Sequence, residues 1–261
     1  MKKLVNVTIA VGLLLVSMSA QATPREAEPA SVTRGWAGYV VRTDGGSFEQ
    51  VKGSWVQPKV VCNRPGSSAA FWVGLGGADA DSEALEQVGT SADCSGSALV
   101  SHSAWYQLFP APPVELPLTI RPGDTMAAEV AVSGRTVTIA LRNLSTGSSF
   151  STERWTRSPE TDSAEWIVEA PSACFVTCVQ LPLADFDRVR FTNSFATAGA
   201  QTGMIRNPAW SRQRLQMGMR RGSLIAAPMT LSADGSTFDV LRLVAARPSG
   251  RPSRNPPSGL R

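Results

Sequence analysis

The fold class is decided by the stretch Met126-Ala-Ala-Glu-Val-Ala-Val132, Ser133-Gly134, Arg135-Thr-Val-Thr-Ile-Ala-Leu-Arg142. Apolar residues alternate with small or polar ones on both sides of the Ser-Gly pair, a pattern typical of a β-hairpin closed by a two-residue turn. Successive side chains of a strand point to opposite faces. The predicted core face of the second strand consists of Val137, Ile139 and Leu141.

The same alternation recurs along the chain between segments rich in Gly, Pro, Ser and Asn, and no helical periodicity of any length accompanies it. Short strands at this spacing predict an all-β fold, a two-sheet antiparallel β-sandwich that forms a single domain over residues 35–244. Further strands are predicted over residues 36–42, 48–56, 69–74, 99–108, 163–169 and 189–193.

The two ends of the chain differ from this pattern. Lys2 and Lys3 precede an apolar stretch and the small residues around Ala20 and Ala22, which predicts a secretory signal peptide over residues 1–22. We therefore expect a secreted protein, extracellular or periplasmic, without a membrane span after signal cleavage. Residues 23–34 are predicted to be a flexible lead-in. Residues 245–261, rich in Pro, Arg and Ser, are predicted to be a disordered tail.

Charge gives little indication of a partner. The formal charge of +4 falls to +2 without the two lysines of the signal peptide. Several arginines lie in the tail without interleaved aromatic residues, so we expect no nucleic-acid partner. We expect a monomer.

Four cysteines in an exported chain predict two disulfides, for which three pairings are possible. We favour Cys62 with Cys94 and Cys174 with Cys178, the second pair closing a small loop. A metal site on the second pair would need further ligands, and His102 is the only histidine of the chain. No metal and no cofactor are therefore predicted. A serine hydrolase is also disfavoured, because the chain has no Gly-x-Ser-x-Gly motif.

Two polar residues in strand-like segments are candidates for catalysis. Gln87 lies in Ala84-Leu-Glu-Gln-Val-Gly-Thr90, and Glu169 ends Ser163-Ala-Glu-Trp-Ile-Val-Glu169. A carboxyl group can transfer protons, and an amide can donate hydrogen bonds to a developing oxyanion. Glu165 and Ile167 share a strand face with Glu169, whereas Trp166 and Val168 point to the other face. The two glutamates are roughly 13 Å apart, so only one of them is expected at the bond being broken. Taken alone, both glutamates would be read as solvated strand residues, and Gln87 as a surface residue of an edge strand.

The motifs of the chain resemble those of the glutamic peptidases, or eqolisins, over more than half of its length. The matching landmarks follow one another in the family's order: Gly35-Trp-Ala-Gly-Tyr39, Val51-Lys-Gly-Ser-Trp-Val-Gln-Pro58, Phe71-Trp-Val-Gly-Leu-Gly-Gly77, Leu85-Glu-Gln-Val-Gly-Thr90, Ala104-Trp-Tyr106, Pro122-Gly-Asp124, Ala164-Glu-Trp-Ile-Val-Glu169 and Leu181-Pro-Leu-Ala-Asp-Phe186.

The resemblance implies a lectin-like (concanavalin-like) β-sandwich of two curved sheets, with polypeptide substrates bound on the concave face. It assigns the catalytic pair to Gln87 and Glu169. Glu169 as a carboxylate would activate water, with Gln87 holding that water and then the oxyanion, and a glutamate of ordinary pKa would give an acidic optimum. The predicted substrate-binding residues are Trp36, Trp72, Trp105 and Gln107.

The chain also departs from the family pattern. Familiar fungal members carry acidic residues where this chain has Gly76 and Gln107. Two alternatives follow for the function. A lectin-like glycoside hydrolase would use Glu165 and Glu169, although such enzymes place an aspartate between the glutamates where this chain has Ile167. A non-catalytic sandwich would bind carbohydrate or peptide on exposed aromatic side chains.

Overall fold

A computed structural model of the chain describes residues 30–95, 99–174, 176–219 and 222–243. The predicted signal peptide, most of the predicted lead-in and the predicted tail lie outside these ranges. The strands are β1 Ala30–Thr33, β2 Trp36–Thr43, β3 Gln50–Val56, β4 Ser68–Leu75, β5 Leu85–Cys94, β6 Val100–Phe109, β7 Val114–Leu116, β8 Thr125–Ser133, β9 Thr136–Asn143, β10 Ser149–Trp155, β11 Ser163–Glu169, β12 Ser172–Cys174, β13 Cys178–Gln180, β14 Arg188–Ala198, β15 Gln201–Met204, β16 Trp210–Gly218, β17 Leu224–Pro228 and β18 Phe238–Arg242.

The strands form two layers that pack face to face. The first has the order β10-β9-β8-β3-β14, and the second has the order β16-β2-β11-β4-β5-β6-β7. Strands β18 and β17 continue the hydrogen-bonded path from β14 to β16 and so connect the layers along one side. The pairs are antiparallel except β1 with β16. The predicted fold class, an all-β antiparallel sandwich of two sheets, is confirmed.

The hairpin that decided the fold class is present, with its turn displaced by one residue. Ser133 pairs with Thr136, so the two turn residues are Gly134 and Arg135, not Ser133 and Gly134. Gly134 has a φ of 60°, and a glycine with positive φ at the first central position is typical of the type II′ turns that connect antiparallel strands. The predicted core face of β9 is confirmed, because Val137, Ile139 and Leu141 are fully buried.

The central strands of the second layer are covered on both faces. In β11, Ala164, Trp166 and Val168 belong to the main core between the layers, whereas Ile167 belongs to a smaller apolar cluster on the outer face. The sequence alternation thus gives the two faces correctly. The outer cluster also contains Val40, Ala70, Trp72, Leu85 and Leu215, with Trp36 and Trp105 packed against it.

Three further observations concern strand β1, the disulfides and membrane-spanning helices. Strand β1 lies within the segment that was predicted to be a lead-in, so the sheet starts before Gly35; its parallel partner β16 is about 180 residues away, a pairing that local sequence does not reveal. Both favoured disulfides are confirmed, Cys62–Cys94 and Cys174–Cys178. In the described ranges, no helix has the length and apolar character needed to cross a membrane.

Candidate active site

The outer face of the second layer carries three rows of side chains, each running across neighbouring strands at one register position. One row contains Gln87 on β5, opposite Gly74 and Gln107. The middle row contains Ile167, Trp72, Gly89 and Trp105. The third row contains Trp36, Glu169, Ala70, Ser91 and Ser103.

A cavity of about 920 Å³ lies over these rows. Its lining includes both candidate catalytic residues, Gln87 and Glu169, together with three of the four predicted substrate-binding residues. Those three are Trp36, Trp105 and Gln107. An apolar wall beside Gln107 comes from the end of β6 and the loop after it, and consists of Phe109, Pro110, Pro112 and Pro113. The cavity therefore combines a few polar groups with aromatic and proline surfaces, a composition typical of ligand sites.

Glu169 lies at the end of β11, where its carboxyl group is held by indole N–H groups. The Nε1 of Trp72 donates to its Oε2 at 2.8 Å. Burial raises the pKa of Glu169 to about 7, and hydrogen bonds from Trp72 and Trp36 offset part of this rise because they stabilise the carboxylate. Glu169 therefore carries its proton well below pH 7 and can donate it there.

Gln87 is 5% exposed and lies on a strand with partners on both sides. Its Nε2 donates to Oε1 of Gln107 at 2.9 Å, and its own Oε1 is buried without a hydrogen-bond partner. Read alone, the sequence predicted a surface glutamine on an edge strand. That expectation is wrong, because β5 lies between β4 and β6 and the apolar wall covers this end of the cavity.

Residues 34–223 match the family model described as the Peptidase A4 family. The chain belongs to the peptidase A4 family. Aspergillopepsin-2 of Aspergillus niger is 32% identical over 193 residues, a match that covers 64% of this chain and 65% of that protein. The chain therefore spans slightly less than two thirds of the length of this relative.

Solved structures of glutamic peptidases share the fold of this A4 family member. Scytalido-glutamic peptidase with a transition state analog inhibitor superposes with a TM-score of 0.69 at 21% identity, covering 80% of this chain and 98% of that one. Aspergilloglutamic peptidase from Aspergillus niger gives a TM-score of 0.55 at 27% identity, covering 67% of this chain and 99% of that one. The predicted resemblance to the glutamic peptidases is thereby confirmed.

The predicted role of Trp72 as a cavity-lining aromatic is wrong. Its side chain is 0% exposed and does not line the cavity. Trp36 covers it edge-on, with ring centroids 4.9 Å apart. Sequence places Trp72 on the correct face but does not reveal its depth. In this A4 family chain Trp72 lies beneath the cavity and holds Glu169 by a hydrogen bond.

Replacing Trp72 by phenylalanine tests this hydrogen bond. The variant keeps an aromatic ring and removes the N–H group that stabilises the carboxylate, so the pKa of Glu169 should rise further. We expect the midpoint of the pH–activity profile to move to higher pH, with circular dichroism unchanged. Trp155→Phe, at an exposed tryptophan of β10, is the matched control. An unchanged midpoint would contradict the assignment.

Glu165 does not form the paired-carboxylate site of a glycoside hydrolase. It is 0% exposed and does not line the cavity. Neither carboxyl oxygen makes a hydrogen bond of ordinary geometry, and burial raises its pKa well above the usual range, an effect that the nearby Ser163 hydroxyl only partly offsets. The expectation of two solvated glutamates is wrong for Glu165, and the glycoside hydrolase alternative is not favoured.

Sequence reasoning missed Glu86, a second buried carboxyl group near Glu165. Glu86 is 0% exposed, and burial raises its pKa to about 8. Its Oε2 accepts a hydrogen bond from the backbone N–H of Glu160 at 3.3 Å, while its Oε1 has no partner. The strand alternation of Leu85-Glu-Gln-Val-Gly does place Glu86 on the face opposite Gln87, and this was the available signal.

The structure explains one of the two departures from the familiar members. Gly76 has a φ of 75°, and a Cβ atom there would lie 2.5 Å from the carbonyl oxygen of Glu160. An acidic side chain therefore does not fit on this backbone.

In the described part of the chain no three His, Cys, Asp or Glu side chains are grouped to hold a metal ion. His102 contacts Gln57, its Nδ1 lying 3.1 Å from the Gln57 Nε2.

Proposed function

We propose that this chain is an acid-acting endopeptidase in which Glu169 and Gln87 together hydrolyse the peptide bond. The observation that carries the proposal is that both side chains line one cavity, across which Trp36, Trp105 and the proline wall offer surfaces to a polypeptide. The named relatives of this family are peptidases, which agrees with this assignment.

Gln87 and Glu169 lie on the same face of the second layer, two strands apart and four register positions apart. Side chains on one face of a sheet project into the same space. That space is the cavity, so a polypeptide bound there can contact both groups.

The raised pKa of Glu169 reverses the order of proton transfers that the sequence suggested. A carboxylate base as the starting form requires an ordinary pKa, whereas a pKa of about 7 leaves Glu169 protonated in acid. In the proposed reaction the water oxygen bonds to the scissile carbonyl carbon while Glu169 gives its proton to the carbonyl oxygen. One proton of the water passes back to Glu169, and a neutral tetrahedral diol results.

The second step breaks the carbon–nitrogen bond. Glu169 gives its proton to the amide nitrogen and recovers one from a hydroxyl group of the diol, so that the products are a carboxylic acid and an amine. Gln87 donates a hydrogen bond to the oxygen on which charge develops in both steps, while its carbonyl oxygen accepts from the attacking water. Atoms and protons balance, and Glu169 ends in its starting form.

An acidic working range also suits the rest of the fold. Glu86 and Glu165 are buried and have raised pKa values, so both are neutral in acid and carry a costly buried charge only at higher pH. We further propose that the protein works outside the cytoplasm. Its two disulfides agree with an oxidising compartment, as do the predicted signal peptide and cleavage site.

Digestion of denatured casein from pH 2 to 8 tests the proposed function. We expect peptide release in acid that declines as the pH rises through about 7, the pKa of Glu169. Release that peaks above neutrality would contradict the proposed proton donor. Reducing-sugar release from β-glucans is measured in parallel, and sugar release without proteolysis would favour the glycoside hydrolase. Binding of the polypeptide by the protein without any cleavage would favour the non-catalytic binding protein.

A further inference from the structure

Gln107 lies on β6 directly opposite Gln87 and makes two hydrogen bonds of defined direction. Its Oε1 accepts from Nε2 of Gln87 at 2.9 Å, and its Nε2 donates to the backbone carbonyl oxygen of Ala111 at 2.9 Å. Ala111 belongs to the turn after β6, where its own N–H donates to the carbonyl oxygen of Leu108 at 3.0 Å. Two hydrogen bonds through the Gln107 amide therefore connect a main-chain turn to the amide of Gln87.

The chemistry of the acceptor at one end fixes the orientation of both amides. A backbone carbonyl accepts hydrogen bonds and cannot donate them, so Gln107 must turn its NH2 group toward Ala111. The carbonyl oxygen of Gln107 then faces Gln87. Because this oxygen is an acceptor, Gln87 must direct its own NH2 group toward it as the donor. Without these two hydrogen bonds, the Gln87 amide could adopt two orientations related by half a turn. The two orientations occupy nearly the same volume and differ only in which position holds the oxygen and which the NH2 group.

The fixed orientation leaves two polar functions of Gln87 for a ligand. One N–H of its NH2 group is not engaged by Gln107, and its Oε1 is buried without a hydrogen-bond partner. A buried amide oxygen that lacks a partner is costly unless a ligand or water supplies a donor. These are the two functions that the proposed reaction uses, a donor for the oxyanion and an acceptor for the water.

We propose that Gln107 is a positioning residue that holds the Gln87 amide in its reactive orientation through the carbonyl group of Ala111. The inference rests on the proposed function. Because a glutamine side chain does not ionise, this positioning is independent of pH, and the pH dependence of turnover is left to Glu169.

Two substitutions at Gln107 distinguish a residue that orients Gln87 by hydrogen bonds from one that only fills the space beside it. Gln107→Met keeps the length of the side chain but offers only a weakly accepting sulfur and no donor, so kcat should fall about tenfold with KM within about twofold. An amide that samples two orientations equally would lower kcat twofold, and loss of the donor would lower it a hundredfold or more. The expected decrease lies between these two values. In Gln107→Glu a carboxyl group can still accept from Gln87 and, when protonated, donate to Ala111. Its kcat at pH 3, where a glutamate of ordinary pKa is protonated, should stay within about threefold of the parent.

Gln201→Met, at an exposed glutamine of β15, is the matched control and should leave both constants unchanged. The proposal is overturned if Gln107→Met leaves kcat intact. It is also overturned if the glutamate variant is as impaired as the methionine variant while circular dichroism matches the parent.

A double-mutant cycle distinguishes failure of this inference from failure of the proposed function. If Gln107 acts through Gln87, Gln107→Met should have no further effect on the residual kcat of Gln87→Ala. An equal tenfold loss in both backgrounds would overturn the positioning role and leave the catalytic pair intact. If Gln87→Ala itself retained full kcat, the proposed function would fail, and the positioning role would fail with it.

Discussion

Glu169→Gln and Gln87→Ala should each lower kcat by at least a hundredfold while the fold persists. Glutamine at position 169 keeps the shape of the side chain and the acceptor for Trp72, but it holds no transferable proton. Alanine at position 87 removes the donor to the developing oxyanion, and loss of such a donor costs about 3 kcal/mol or more in the transition state. Turnover of a peptide substrate at pH 4 and far-UV circular dichroism are the measurements.

The two substitutions are expected to act on kcat more than on KM. Both remove interactions with the reacting atoms, and the aromatic and proline surfaces of the cavity remain to bind the polypeptide. Variants that fail to bind peptide as well as to cleave it would point instead to a structural defect. Variants that cleave at the parental rate would remove both residues from the mechanism.

The fold should lose stability as the pH rises from about 4.5 to about 8. In the unfolded chain Glu86 has its ordinary pKa and ionises near 4.5, whereas in the folded chain it keeps its proton up to about 8. The folded state therefore binds more protons within this window, and the free energy of unfolding falls with rising pH. The shift corresponds to about 5 kcal/mol at most, at roughly 1.4 kcal/mol per pH unit. Glu165, whose pKa is raised by burial in the same direction, adds to the loss.

Urea denaturation at pH 4 and pH 8 measures this effect. The parent should have a markedly lower free energy of unfolding at pH 8, and Glu86→Gln, which cannot ionise, should recover a large part of the difference. Glu153→Gln, at an exposed glutamate of β10, is the control and should follow the parent. Equal stability of the parent at both pH values would show that these carboxyl groups do not set the acid preference of the fold.

Sequence predicted the features that depend on alternation. The bounds of β11 agree with the prediction, and Ile167 and Glu169 were correctly separated from Trp166 and Val168. The hairpin turn was displaced by one residue, because both Ser133 and Gly134 are common turn residues and the positive φ belongs to the glycine. Alternation determines which face a side chain lies on, and this much was correct.

Depth below that face was not predictable. Trp72 and Trp105 lie in the same row, but Trp72 is buried under Trp36, whereas Trp105 lines the cavity and donates to the Oγ of Ser91 at 2.8 Å. Glu165 and Glu169 likewise share a face and differ in what covers them. The raised pKa of Glu169 follows from such covering, and so the order of proton transfers could not be read from the sequence.

The most direct test of the account compares Glu165→Gln with Glu169→Gln on one peptide substrate at pH 4. The two glutamates have the same chemistry, the same strand and the same face, but only Glu169 lines the cavity with Gln87. We expect Glu165→Gln to keep the parental kcat within about threefold, because a neutral buried carboxyl group is replaced by a neutral amide. Glu169→Gln should lose at least a hundredfold. The reverse pattern, with Glu169→Gln active and Glu165→Gln inactive, would contradict it.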